Sequence, residues 1–386
     1  MKTLQFLYKL FTVFCAIILF GSSFMLQAQT RAQLDSLRSE ASVITYNNPE
    51  LAIEKGLELY KLAKKDPSTQ IGALIIVANG YAVLKNHDKV LEYAFRADSI
   101  AKKSENFTDR IRVLGFIGGE YQRLNLSDKA LNYLDQAYDI SVSHPLPDSL
   151  KFLQGNILFV KGLIQKDKLG CEYALQYFKQ AEEVFKSNIS SKAINASIAI
   201  ASNKIGDCNF EMKNYKIARE NYEESIFYAK KINAIKSIAY SELGLAKILS
   251  VEGENSSAIE MLEEAKASIK NVNDIGTNSE IYKALSENYT AIGDAENANK
   301  YTSLYLAEQE KLLSEEKKSL NKVVSDLSSE NVKKREEQKD KYNYLFLFFG
   351  IVLLLVILIV VRKIIAKRRK ISLHKEELNK SSKNKK

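Results

Sequence analysis

The sequence of 386 residues contains no tryptophan, four prolines and three histidines. So few prolines, with sixteen glycines and abundant Leu, Ala, Lys and Glu, favour a mostly helical chain. His87, His144 and His374 are isolated in sequence, so neither a zinc site nor an imidazole base has partners at the usual spacing. We therefore predict that the chain is not an enzyme and has no catalytic residues, metal or cofactor.

Cysteine is scarce as well. Cys15 lies in an apolar N-terminal stretch, which leaves Cys171 and Cys208 for the rest of the chain. Two thiols do not make a disulfide framework. We predict that both are small buried core residues. The alternative is a bridge between neighbouring repeats, which are described below, in an oxidising compartment.

Positive charge is concentrated near the C-terminus. The formal net charge is +9, residues 362–386 alone carry +9, and residues 10–361 sum to −2. A nucleic-acid-binding domain would carry its basic patch on the folded body. We therefore predict no nucleic-acid partner for this chain. The basic tail favours contact with anionic lipids, unless it serves only as a topology signal.

A ladder of small residues recurs six times along the chain. A small residue is followed twelve positions later by Ala or Val, and seven positions after that by a third residue, usually small; the units repeat every 40 or 44 residues. Periods of this size indicate stacked supersecondary units. The three sets are Ala78, Gly118, Gly162, Gly206, Ala246 and Ser286; Val90, Ala130, Ala174, Ala218, Ala258 and Ala298; Ala97, Ala137, Ala181, Ser225, Ala265 and Tyr305.

The clearest unit reads Leu114-x2-Ile117-Gly118-x2-Tyr121, then Ala130-x3-Leu134-x2-Ala137. It resembles the tetratricopeptide repeat (TPR), a pair of antiparallel helices. The resemblance implies an all-α fold, with a TPR-like α-solenoid of six to seven helical hairpins over residues 30–310. Each hairpin would be covered by the next along a continuous core.

Both ends of the chain carry apolar segments. Residues 1–28 are typical of a secretory signal peptide, with an uncleaved anchor as the alternative. Leu345 to Val361 are seventeen residues without a polar side chain, which predicts a transmembrane helix at 342–365. Six Lys and Arg residues between positions 362 and 370 predict a cytoplasmic tail at 366–386. The expected location is a bacterial inner (cell) membrane, with the repeats in the periplasm.

Residues 311–341, between the repeats and the span, predict a charged helical stalk. Leu306, Leu313, Leu320 and Leu327 recur every seven residues, a spacing that can form a dimeric seam. Polar residues at the other seam positions make any coiled coil weak. We favour an interpretation in which Leu306 and Leu313 cap the last repeat and the rest is solvated. A homodimer through this seam is the alternative.

In tetratricopeptide proteins the first helices line a groove that commonly holds a peptide. The resemblance implies that polar residues in those slots contact a protein or peptide partner, although each is also typical of a solvated helix face. They are Asn79, Arg112, Gln122, Arg123, Asn203, Asp207, Lys283 and Glu287.

The order of signal peptide, repeats, charged helix and single span resembles the sensor region of bacterial TPR-transmembrane regulators and histidine kinases. Only twenty-five residues follow Val361, too few for a folded output domain. We predict a non-enzymatic, single-pass membrane protein that binds a protein or peptide as an adaptor or sensor-like receptor. The alternative is a truncated or split transmembrane transcription regulator of the helix-turn-helix type, whose output domain is missing from this chain.

Overall fold

The computed structural model describes residues 31–45, 48–64, 66–187, 192–270 and 274–383, with side chains except at 192–193, 315–316, 318–337 and 372–383. Within these residues all regular secondary structure is helical, which confirms the predicted all-α class. The predicted signal peptide lies outside the described residues. The chain divides into a repeat unit that ends at Lys317 and a second unit that begins at Lys318.

We number the helices α1 to α14, and each odd-numbered helix pairs with the even-numbered helix after it. The described residues thus form seven hairpins, in agreement with the predicted six to seven. The bounds are α1 (31–44), α2 (Pro49–Leu62), α3 (Pro67–Val83), α4 (His87–Ala101), α5 (Phe107–Arg123), α6 (Ser127–Ser143), α7 (Phe152–Leu169), α8 (Cys171–Lys186), α9 (Lys192–Glu211), α10 (Tyr215–Lys230), α11 (Ile235–Val251), α12 (Asn255–Ser268), α13 (Ile275–Ala291) and α14 (Ala295–Lys383), with a short 3-10 turn at Asp148–Leu150.

Capping side chains begin several of these helices. The side chains of Asn48, Asp66 and Asn106 accept hydrogen bonds from first-turn amides of α2, α3 and α5. Such caps satisfy amides that have no partner within the helix. Pro49 and Pro67 occupy the first turns of α2 and α3, where a missing amide hydrogen costs nothing.

Five hairpin turns share one backbone geometry. The residue after the C-cap has a positive φ, between 54° and 87°, at Lys85, Asn125, Lys213, Gly253 and Gly293. The next amide donates to the carbonyl five positions back, as from Asn214 to Asn209 at 2.8 Å. This is the Schellman arrangement, which satisfies the last carbonyls of a helix. The turns therefore set a common exit direction for the second helix of each hairpin.

The small residues of the ladder lie where paired helices approach each other. Ala130, Ala174, Ala218 and Ala258 are fully buried. A Cβ added at Gly118 on α5 would lie 2.6 Å from Cγ of Leu134 on α6, so only glycine fits this approach. The predicted packing role of the ladder is thus seen directly in the third hairpin.

The last hairpin departs from the prediction in two ways. Tyr301, one turn before the predicted Tyr305, is the residue that is buried, and it stacks on Tyr289 with ring centroids 5.6 Å apart. Leu306 and Leu313 are 58% and 63% exposed. The expectation that these two leucines cap the last repeat was therefore wrong, because they face away from the core they were expected to cover.

The two cysteines form a disulfide bond, with Cα atoms 5.0 Å apart. Cys171 is the first residue of α8 and Cys208 lies in α9, so the bond joins the fourth hairpin to the fifth. Both residues are buried, as expected. The prediction of two separate thiols was wrong, and the alternative, a bridge between neighbouring repeats, is what the structure has.

In the second unit, the described residues contain one helix long and apolar enough to cross a membrane, Gln338–Ile371. Its apolar side chains are exposed throughout, including those of Leu345 and Val361. This range includes the predicted span at 342–365. By length and composition the helix could therefore span a bilayer.

Candidate functional site

The first helices of successive hairpins form one continuous face of the repeat unit. Helix α3 contacts α5, α5 contacts α7, and the series continues through α9 and α11 to α13. In stacked repeats, such a face forms the extended concave surface on which partners bind. The predicted groove residues all lie on these first helices.

A cavity of about 260 Å³ lies on this face where α3, α5 and α7 meet. Its lining combines apolar side chains with a few polar ones, which is the usual composition of a binding site. The lining residues are Ile75, Asn79, Ile111, Arg112, Gly115, Phe116, Gly119, Arg123, Leu153, Asn156, Ile157 and Val160.

Two glycines of α5 keep the centre of this cavity open. A Cβ at Gly119 would have no atom within 4 Å, and one at Gly115 would be in ordinary contact with Ile157 at 3.4 Å. Glycine within a helix costs stability relative to alanine. Neither position needs glycine for helix packing, in contrast to Gly118. The room they leave is therefore space on the groove face.

Each arginine of the cavity is held by a buried carboxylate one turn earlier on α5. Arg112 pairs with Asp109 at 3.2 Å, and Arg123 pairs with Glu120 at 2.7 Å; both carboxylates are almost completely buried. Burial opposes ionisation of Glu120, but hydrogen bonds from His87 and Arg123 outweigh it and lower its pKa below the usual value. The arginine head groups are thus oriented before any ligand arrives.

A second polar cluster lies further along, on α9, α10 and α11. Asp207 accepts hydrogen bonds from Lys204 (2.8 Å), Tyr222 (3.0 Å) and Tyr240 (2.9 Å). Burial tends to lower the pKa of Lys204, but Asp207 raises it well above its usual value; burial raises the pKa of Tyr222 and Tyr240, with a further contribution from Asp207. Because the members satisfy each other, this cluster ties hairpins together.

The predicted groove residues lie in different environments in the structure. Asn79, Arg112 and Arg123 come together at the cavity, and Asp207 lies in the second cluster. Asn203 is 4% exposed and accepts a hydrogen bond from Ser241 at 2.6 Å. Gln122 is half-buried outside the cavity lining, and Lys283 and Glu287 are exposed on α13. Ligand binding by these residues stays a prediction.

Sequence reasoning missed the apolar and small lining residues. Phe116 and Gly119 follow Arg112 by four and seven positions, so they share its side of α5. That spacing could have placed them beside the predicted arginine. Asn156 and Val160 on α7 could not have been found in this way, because their approach to α5 depends on how the hairpins stack.

No model of a known protein family and no curated protein sequence matches the chain. Solved structures match in fold. The apo form of RapI has a TM-score of 0.53 at 14% identity, over 73% of this chain and 99% of that one. The Rap conjugation gene regulator of plasmid pLS20, solved with a Phr peptide, has a TM-score of 0.52 at 17% identity, over 69% and 71%. The fold is a tetratricopeptide-like α-solenoid.

A third similar structure extends the likeness. A signal-transduction ATPase with a tetratricopeptide repeat sensor, from Pyrococcus horikoshii, has a TM-score of 0.51 at 18% identity, over 75% of this chain and 44% of that one. At these identities the comparisons establish the fold of the TPR-like solenoid alone. The resemblance to sensors of transmembrane regulators and histidine kinases stays a prediction.

Proposed function

We propose that the TPR-like solenoid binds a segment of a protein or peptide in the cavity between α3, α5 and α7. In this proposal the chain is a non-enzymatic, membrane-anchored adaptor or sensor-like receptor. The observation that carries the proposal is the convergence of Asn79, Arg112 and Arg123 around an apolar centre on the face shared by the first helices. A peptide-bound Rap regulator with a similar fold agrees with it.

The size of the cavity indicates that it holds only part of a longer ligand. At about 260 Å³ it is smaller than the pockets that enclose a whole small molecule, which begin at about 300 Å³. It suits one or two side chains of a peptide whose remainder runs along the face. The apolar centre, which includes Phe116 and Val160, would take an apolar side chain.

The two asparagines at the cavity suit a peptide backbone. A carboxamide both donates and accepts hydrogen bonds, as a peptide group does. Asn79 on α3 and Asn156 on α7 lie on the two helices that flank α5. A peptide lying over α5 would therefore have a carboxamide available on each side.

Membrane placement is the second part of the proposal. The apolar helix Gln338–Ile371 would cross a bilayer once, with the basic tail in the cytoplasm and in contact with anionic lipids. The disulfide between Cys171 and Cys208 supports an exported repeat unit, because disulfides persist in oxidising compartments and are rare in the cytosol.

Peptide selection tests the groove. The full-length protein in lipid nanodiscs would be screened against a random peptide display library, and enriched peptides would be assayed on two variants. We expect Gly119→Leu, which fills the cavity from an unobstructed position, to abolish binding. Gln176→Leu, which adds the same side chain to an exposed site on α8, should preserve it. Failure to enrich any peptide, or equal binding by both variants, would refute the proposal.

Protease accessibility tests the placement. In spheroplasts, an added protease should digest the repeats and spare the basic tail. Digestion of the tail with protection of the repeats would contradict the proposed orientation. Recovery of the protein in the soluble fraction would rule out the membrane anchor.

A further inference from the structure

Helix α5 presents a repeated acid–arginine pair on one side. Asp109 precedes Arg112 by three residues, and Glu120 precedes Arg123 by three residues. The two arginines are eleven residues apart, which is about 20° beyond three full helical turns. They therefore share a side of the helix and are separated by about 16 Å along it.

Each buried carboxylate also has a hydrogen-bond partner other than its arginine. Asp109 accepts from Ser68 of α3 as well as from Arg112, and Glu120 contacts Nδ1 of His87 at 2.6 Å as well as Arg123. Each carboxylate thus fixes its arginine without needing the whole guanidinium group. The guanidinium has five donors, so donors remain for a ligand.

Both arginines keep these donors accessible. The side chain of Arg112 is 30% exposed and that of Arg123 is 48% exposed, and both line the cavity. Between them lie Gly115, Phe116 and Gly119, an open stretch with one aromatic wall. The site is therefore a trough with a fixed guanidinium at each end and apolar space in the middle.

We infer that this trough recognises an extended peptide with acidic side chains at positions i and i+4 and an apolar side chain at i+2, because these three side chains point to the same side of an extended chain. An extended chain rises about 3.3 Å per residue, so the two acids are about 13 Å apart along the peptide, and the long side chains of arginine and glutamate can span the remaining few ångströms. The carboxylates of the peptide would accept charge-assisted hydrogen bonds from Arg112 and Arg123, and the apolar side chain would occupy the space beside Gly119. This inference rests on the proposed function and specifies its ligand.

Recognition in this proposal depends on the positions of the arginine donors, because each acid–arginine pair has no net charge. Each arginine is balanced by its own buried acid, so the trough has little long-range attraction for anions. Selectivity comes from donors held at fixed positions. A lysine-bearing peptide would place cations against the guanidinium groups and would be rejected at both ends.

The experiment uses capped synthetic peptides and the full-length protein in lipid nanodiscs, with binding followed by fluorescence anisotropy. One peptide has glutamates at positions i and i+4 and a leucine at i+2. Two others replace both glutamates with glutamine or with lysine. We expect the glutamate peptide to bind at least about tenfold more tightly than the glutamine peptide, and the lysine peptide more weakly than both.

Protein variants assign the effect to the two arginines. Arg123→Gln should lower the affinity for the glutamate peptide about threefold to tenfold and leave the affinity for the glutamine peptide unchanged. Arg110→Gln, on the same helix but outside the cavity lining, should change neither. Because either single change leaves a buried acid without its arginine, the double variants Asp109→Asn with Arg112→Gln and Glu120→Gln with Arg123→Gln remove each pair as a unit, and each should weaken binding of the glutamate peptide alone.

Some results would overturn the inference. It fails if the glutamate and glutamine peptides bind the unsubstituted protein equally, or if the glutamate peptide does not bind; these arms do not depend on the folding of any variant. If library selection still yields peptides that Gly119→Leu blocks, and they lack acidic pairs, the proposed function stands while this inference is wrong.

Discussion

Tyr222 on α10 donates a hydrogen bond to Asp207 on α9 at 3.0 Å, and its ring lies between two glycines of neighbouring hairpins. A Cβ at Gly206 on α9 would lie 2.8 Å from the ring, and one at Gly244 on α11 would be closer still. The ring is therefore confined on both faces. This tyrosine packs the fifth hairpin against the sixth, and its hydrogen bond to Asp207 joins the two helices of the fifth hairpin.

Replacement of Gly206 by alanine should destabilise the repeat unit. The new methyl group would meet the ring of Tyr222, which cannot retreat because the backbone of Gly244 lies behind it. Overpacking of this kind costs about 1–3 kcal/mol. Urea unfolding followed by circular dichroism would show a lower midpoint. Gly119→Ala is the matched control, because its methyl enters open space and alanine favours the helix by up to about 1 kcal/mol. Equal stability of the two variants would contradict this account of the packing.

The small-residue ladder could be predicted because packing of two helices is local. Gly118 and Ala130 are twelve residues apart, within one hairpin, so their meeting follows from helical periodicity and a short turn. The predicted register held through the first five ladder units, and it misassigned the buried tyrosine only in the last hairpin, where Tyr301 rather than Tyr305 is in the core.

Features formed between hairpins could not be predicted in the same way. The bond between Cys171 and Cys208 depends on how α8 stacks on α9, and the exact rotation of one hairpin on the next leaves no periodic signal in the sequence. The same holds for the cavity. Asn79 and Arg123 were predicted separately, but their meeting with Asn156 of the next hairpin depends on the stacking.

Glycine should be the more stable residue at two equivalent positions of the hairpin turns. Lys213 has a φ of 64°, a conformation that is strained for a residue with a Cβ, while Gly253 occupies the same place in another hairpin with a φ of 87°. Lys213→Gly should raise the free energy of unfolding by about 0.5–1 kcal/mol, and Gly253→Lys should lower it by about 1 kcal/mol. Chemical denaturation of both variants measures this. A loss of stability in Lys213→Gly would show that the lysine side chain matters more than the backbone.

Reduction of the disulfide should weaken the junction of the fourth and fifth hairpins. The bond spans 37 residues, and a loop of this size is worth about 2–4 kcal/mol through restriction of the unfolded chain. Addition of dithiothreitol should lower the melting temperature of the unsubstituted protein. The variant with both Cys171→Ala and Cys208→Ala should have a low melting temperature with and without dithiothreitol. Insensitivity of the unsubstituted protein to the reductant, with two thiols labelled by maleimide, would show that the bond does not form.

Glu120 should make the stability of the repeat unit depend on acidic pH. Burial opposes its ionisation, but hydrogen bonds from His87 and Arg123 lower its pKa in the folded protein below the ordinary value of 4.5. Its contribution is therefore fully present above that value and is lost as the pH falls through the lower folded-state pKa. Glu120→Gln should cost about 1–3 kcal/mol at neutral pH, and the difference from the unsubstituted protein should shrink below about pH 4.

Urea titrations across a pH series measure this dependence, with Glu92→Gln as the matched control. Glu92 pairs with Lys89 at 2.6 Å, but both side chains are nearly half exposed, so its loss should change stability by less than about 1 kcal/mol at any pH. A cost for Glu120→Gln that is the same at acidic and neutral pH would mean that the carboxyl group acts through its shape and neutral hydrogen bonds. Its ionised pairing with Arg123 would then not be what holds that arginine at the edge of the cavity.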